Sequence, residues 1–107
     1  MYSFRRTNAF SKFCNKLCRK NKSEYDILRN RFHILLENPY NNTKFLKGSL
    51  KGKRSARDGD MRFVFAVCEE CRKFDHTQLN SCANCGENPD STIVFFAVGS
   101  RKNIYDS

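Results

Sequence analysis

Two short stretches constrain this chain more than anything else in it. Met61 to Val67 (Met-Arg-Phe-Val-Phe-Ala-Val) and Thr92 to Val98 (Thr-Ile-Val-Phe-Phe-Ala-Val) are rich in aromatic and β-branched residues and nearly free of charge. Such runs fit a pleated, buried surface, so they predict the two central strands of a sheet. Between them lies a polar segment carrying CEEC and then CANCG, which cannot form a core of its own. The fold must therefore pair the two runs and carry the cysteine segment as an excursion from their hairpin.

Upstream the apolar period is helical. Phe10, Phe13, Cys14, Leu17 and Cys18 recur at the spacing of one helix face. Ser23, with Asp26 three residues on, reads as a second helix start, and Tyr25, Leu28, Phe32, Leu35 and Leu36 continue the stripe. Asn38-Pro39 ends it, because the residue before proline avoids the helical region. Residues 48–57 read as a basic, exposed strand after a polar loop, and Asp58-Gly59 as a hairpin turn into residue 61. Tyr2 to Phe4 offers an edge strand. The expectation is one α+β domain over residues 1–107, with an N-terminal helical hairpin packed on a small antiparallel sheet.

Charge then narrows the function. The 107 residues carry 20 Lys+Arg against 11 Asp+Glu, a formal net charge of +9. With 39% apolar residues and ten Phe, this is no disordered basic tail. No run is long and apolar enough for a membrane span, and the opening MYSFRR lacks the pattern of a secretory signal. A cytoplasmic protein with a polyanionic partner, most simply nucleic acid, is the expectation. The basic residues concentrate in residues 1–22 and 44–62, whereas 63–100 is net acidic.

The cysteines Cys68, Cys71, Cys82 and Cys85 form C-x2-C-x10-C-x2-C. Two such pairs supply four thiolates to a tetrahedral zinc ion, leaving no position open for water, so the metal would be structural. A zinc-type β-hairpin over 68–85 is the first reading, disulfides the second and reduced thiols the third. Cys14 and Cys18 read as buried thiols in a helix face, His33 as a partly buried histidine of the second helix and His76 as exposed. Neither histidine belongs to a recognisable catalytic pair.

Arg57 and Arg62 flank one turn, and Arg62 is a charge at the head of an apolar strand. Arg101 follows the last apolar run, with Tyr105 beyond it. If the strands bring them together, arginine forks can grip phosphate oxygens and the tyrosine can stack on a base. The competing reading is a solvated basic face with an aromatic residue packed on the core.

The residues Asn38-Pro39, the LKG of 46–48, RDGDMRFVF (57–65) and VGSRKNIY (98–105) resemble the RelE/ParE toxin superfamily, in order and spacing. The resemblance implies a RelE-like fold and a toxin neutralised by a RelB-like antitoxin that wraps it. One branch of the family is a ribosome-dependent mRNA endoribonuclease, the other inhibits DNA gyrase. In the nuclease branch the resemblance assigns Arg62 and Arg101 to the scissile phosphate and Tyr105 to stacking. Lys51 or Lys53 would accept a proton, with Lys47, Arg54, Arg57 and Lys102 as further nucleic-acid contacts. The chemistry implied is attack of the ribose 2′-hydroxyl on the adjacent phosphate, with no metal required. Two departures stand out: Ser55 occupies the place of a base-like lysine, and Ser100 that of a histidine. The cysteine segment is no standard part of the family. A gyrase inhibitor, or a non-enzymatic zinc module that binds nucleic acid, are the alternatives.

Overall fold

The computed structural model describes residues 1–59, 61–76 and 85–100. Its order is β1 (Ser3–Arg6), α1 (Asn8–Lys20), α2 (Lys22–Glu37), β2 (Thr43–Phe45), β3 (Arg54–Asp58), β4 (Met61–Val67), α3 (Cys68–Lys73) and β5 (Thr92–Ser100). Short 3-10 turns occupy Gly48–Leu50 and Cys85–Glu87.

The strands form one five-stranded sheet in the order β1-β5-β4-β3-β2. The two apolar runs pair antiparallel at its centre, as their composition requires, with Phe63 opposite Val98 and Val67 opposite Ile93. The sheet is mixed rather than antiparallel, because β1 runs parallel to β5, Ser3 opposite Thr92. A parallel neighbour needs a long crossover, and here nearly the whole chain supplies it. A bulge between Val64 and Phe65 leaves Phe96 as the extra residue of β5. Thr7 secures that irregularity: its hydroxyl donates to the Phe96 carbonyl at 2.6 Å while accepting from the Phe10 amide at 3.3 Å, as the N-cap of α1.

The helices cover one face. Phe10, Leu28, Leu35 and Leu36 meet Phe63, Phe65, Val67, Ile93 and Phe95. Phe95 sits at the middle, its ring 4.6 Å from that of Phe32 and 5.3 Å from that of Phe10. Each such ring contributes about 1.5–3 kcal/mol by leaving water. The second helix starts earlier than Ser23 suggests. Asn21 ends α1, its amide donating to the Leu17 carbonyl, and also caps α2, its side chain accepting from Glu24 at 3.2 Å. One residue thus does the work of a loop. Cys14 is buried as expected, but Cys18 is exposed. Burial pushes the Cys14 thiol's pKa up, against the opposing pull of Arg6, so it stays protonated and inert.

Three local expectations change. The basic strand is shorter than 48–57, since Gly48–Leu50 is a 3-10 turn and pairing begins at Arg54. Nor is all of it exposed, for Ser55 and Ala56 are buried. The polar stretch before it contributes β2, pairing Thr43–Phe45 with Arg54–Ala56. Finally, CEEC is the start of a helix and not a β-hairpin arm. Glu69 and Glu70 fall in the first turn of α3 and Arg72 and Lys73 in the last, which complements the helix dipole, and no β-branched residue opposes it. Among the described residues no helix is long and apolar enough to cross a membrane.

Candidate functional site

Alternation along β3 and β4 sorts the basic residues onto two faces. Ala56 and Phe63 point to the helices, so their neighbours Ser55, Arg57, Arg62 and Val64 issue from the opposite face. Arg57 lies directly across from Arg62. Like charges opposed on adjacent strands cost stability, so this pairing is not explained by folding.

Both guanidinium groups turn to the same atom. The Gly59 carbonyl accepts from Arg57 Nε at 3.3 Å and from Arg62 Nη1 at 3.0 Å, with the Met61 carbonyl a second acceptor for Arg62 at 3.3 Å. Gly59 has φ +61°, the left-handed conformation that the Asp58-Gly59 turn supplies cheaply through glycine. Arg62 is only 7% exposed, yet no carboxylate pairs with it among the described residues. A buried charge held by dipoles alone retains most of its potential for an incoming anion.

These groups line a concavity of about 570 Å³ with Lys44, Ser55, Thr43, Asn42 and Leu46. Among the described residues its lining has three cations and no acid. Lys44 stands opposite Ser55 in the β2–β3 register and so emerges on the same face. The sequence offered little warning of this, because a three-residue strand beside a polar loop has no periodicity to read.

The remaining expected contacts fall elsewhere. Arg54, one residue from Ser55, points to the other face and forms a two-pronged pair with Glu70 of α3, Nε–Oε1 and Nη2–Oε2 both 2.8 Å. Its guanidinium carbon also lies 4.1 Å from the Phe45 ring centre. Lys53 lays its Nζ 4.8 Å from the Phe96 ring, a cation–π contact, and Lys47 and Lys51 are exposed outside the concavity. The register sets Gly99 opposite Arg62 at the end of β5. Arg101, Lys102, Tyr105 and Cys82, expected at the site or the metal, lie outside the described residues.

Around α3 the acids of CEEC are fully engaged. Glu69 Oε1 accepts from Tyr2 and Tyr40, each at 2.6 Å, while Glu70 holds Arg54. The Tyr40 hydroxyl has its pKa raised, first by burial and then by the bond to Glu69; for Tyr2 that bond comes first. Arg72 reaches back to Asp90 and to the Asn88 carbonyl. Cys68 and Cys71, buried at 5% and 6% exposure, stand three residues apart on one side of this anchored helix. His76, expected to be exposed, is half-buried against Phe45 and Phe74.

No protein-family model and no curated protein matches the sequence. Among solved structures the fold is similar to the toxin–antitoxin complex RelBE2 from Mycobacterium tuberculosis, with a TM-score of 0.61 and 22% identity, covering 94% of this chain and 98% of that one. It is similar to YafQ from E. coli, at TM-score 0.64 and 17% identity over 98% and 99% of the two chains. The YoeB–YefM complex from Staphylococcus aureus gives 0.63 and 13%, over 94% and 98%. The α+β architecture with its mixed sheet is thus that of the RelE, YafQ and YoeB toxins; at these identities the likeness concerns the fold.

Proposed function

We propose that this protein is the toxin of a toxin–antitoxin pair and an endoribonuclease that cleaves mRNA on the ribosome. The observation that carries the reading is Arg62, buried without a counter-ion among the described residues, beside Arg57 in a concavity whose described charged lining is Lys44, Arg57 and Arg62. Such a site suits a phosphodiester, whose charge grows as a fifth oxygen approaches phosphorus. Cations fixed in advance stabilise that growing charge without having to reorganise. In this reaction the ribose 2′-oxygen attacks the neighbouring phosphate, leaving a 2′,3′-cyclic phosphate and a free 5′-hydroxyl. Arg62 and Arg57 hold the non-bridging oxygens, and Arg101 and Tyr105 are proposed to complete the grip and stack on a base. The fold likeness to RelBE2 and YoeB–YefM, both described as complexes, supports an antitoxin as the resting partner.

Purified protein, ribosomes and a defined mRNA test this directly. Fragments ending in a cyclic phosphate are expected. Intact mRNA together with blocked supercoiling by gyrase would favour the inhibitor reading instead.

The four cysteines are proposed to hold a structural zinc ion. Cys68 and Cys71 fit half of such a site, since their spacing on α3 offers two sulfurs to one side. When bound, the ion would tie the excursion to the sheet and take no part in the cleavage. Native mass spectrometry should find one zinc per chain, and a chelator should lower the melting temperature. A mass short by the hydrogens of two disulfides would reject the metal.

A further inference from the structure

Cleavage through the 2′-hydroxyl needs a group that takes its proton, and the concavity offers few candidates. A guanidinium is a hydrogen-bond donor with no acceptor site, so Arg57 and Arg62 cannot serve. Asn42, Thr43, Ser55 and Leu46 have no basic group to offer near neutral pH. Among the described lining residues, Lys44 is the one whose nitrogen can carry a lone pair. It is exposed, forms no ion pair among the described residues, and faces Ser55 across the β2–β3 register. Lys53, by contrast, is turned to the Phe96 ring, and Lys51 does not line the concavity.

We propose that Lys44 is the catalytic proton acceptor of this site, reaching from β2 over buried Ser55 to the substrate ribose. This rests on the nuclease reading above. The lone pair on Lys44 Nζ takes the 2′-hydroxyl proton as the 2′-oxygen bonds to phosphorus. The bond from phosphorus to the 5′-oxygen breaks, its electron pair leaves with that oxygen, and water protonates it. Arg57 on the adjacent β3 and Arg62 on β4 beyond it are the charged groups that share the concavity with Lys44 among the described residues; they bind the phosphate oxygens and receive no proton. Ser55 makes the arrangement possible, because a longer residue there would occupy the space the amine must cross.

The experiment compares single-turnover cleavage of ribosome-bound mRNA by four proteins: wild type, Lys44→Ala, Lys44→Arg, and Lys44→Ala combined with Ser55→Lys. Positioned proton transfer contributes on the order of 10²–10⁴-fold, so Lys44→Ala should lose at least about a hundredfold. Lys44→Arg should stay as slow, since it keeps the charge but not the lone pair. The double variant should recover much of the rate, the amine now rising from the strand next door. Thermal melts of all four check folding: the exposure of Lys44 predicts that both single variants overlay wild type, while the double variant, altered at buried Ser55, is compared as rate per folded protein. Wild-type rates in Lys44→Ala or in Lys44→Arg would overturn the assignment while leaving the nuclease reading intact. Inert wild-type protein would overturn both.

Discussion

Two arginines a few residues apart on paired strands have opposite fates. Arg54 faces the helix side and spends its fork on Glu70, with Thr43 at 3.3 Å and an aromatic ring beside it. Arg62 faces the other side, more deeply buried, and among the described residues meets only the carbonyl oxygens of Gly59 and Met61. The first arrangement explains itself as architecture: it locks α3 to the sheet. The second has no structural reward that matches its cost, since burying a charge without a counter-ion is expensive. Where a fold tolerates such a charge, an anion from outside is the natural completion. The contrast separates the corner that builds the molecule from the corner that uses it.

Arg62→Met breaks the contrast most sharply. It removes the charge and keeps the bulk, so cleavage should fall about 10²–10³-fold, as when one fixed donor to a developing anion is lost. Stability should hold or rise, because replacing an uncompensated buried charge by an apolar side chain relieves its desolvation. Denaturant melts check this, and a marked loss of stability would make Arg62 architectural after all. Arg54→Ala should do the reverse, costing about 3 kcal/mol by stranding Glu70, with the activity of the folded fraction unchanged. Arg54→Lys keeps a charge but not the fork; about 1–2 kcal/mol should be lost, measured the same way.

Smallest is a pH effect at the architectural corner. The Tyr40 phenol has a raised pKa in the fold, so the stability it lends is intact below pH about 10 and is lost as pH climbs beyond. Alkaline unfolding of Tyr40→Phe should therefore be shallower than that of the wild type. Superimposable curves would show that the Glu69 bond does not report on folding.

Legibility followed the length of the pattern. The helical stripes and the central strands were readable because each repeats its period several times over. Sheet pairing at β4–β5 followed from composition alone. Three features were not readable. β2 is too short to show a period, so the place of Lys44 opposite Ser55 could not be read. The face chosen by Arg54 depends on register, and a shift of one residue would have exchanged it with Ser55. CEEC was expected in a β-hairpin arm, yet the same letters are good helix chemistry, and its acids tie Tyr2, Tyr40 and Arg54. Of the phosphate grip expected from sequence, the structure places Arg57 and Arg62 together.

The parallel seam between β1 and β5 carries a consequence for synthesis. The first strand of the chain finds its neighbour only in the last, and β4 lacks one flank until residues 92–100 emerge. Pairings between sequence-distant ends form late. The central sheet therefore stays open at one flank of β4 while most of the chain is being made, and closes only once β5 is free to pair on both of its sides.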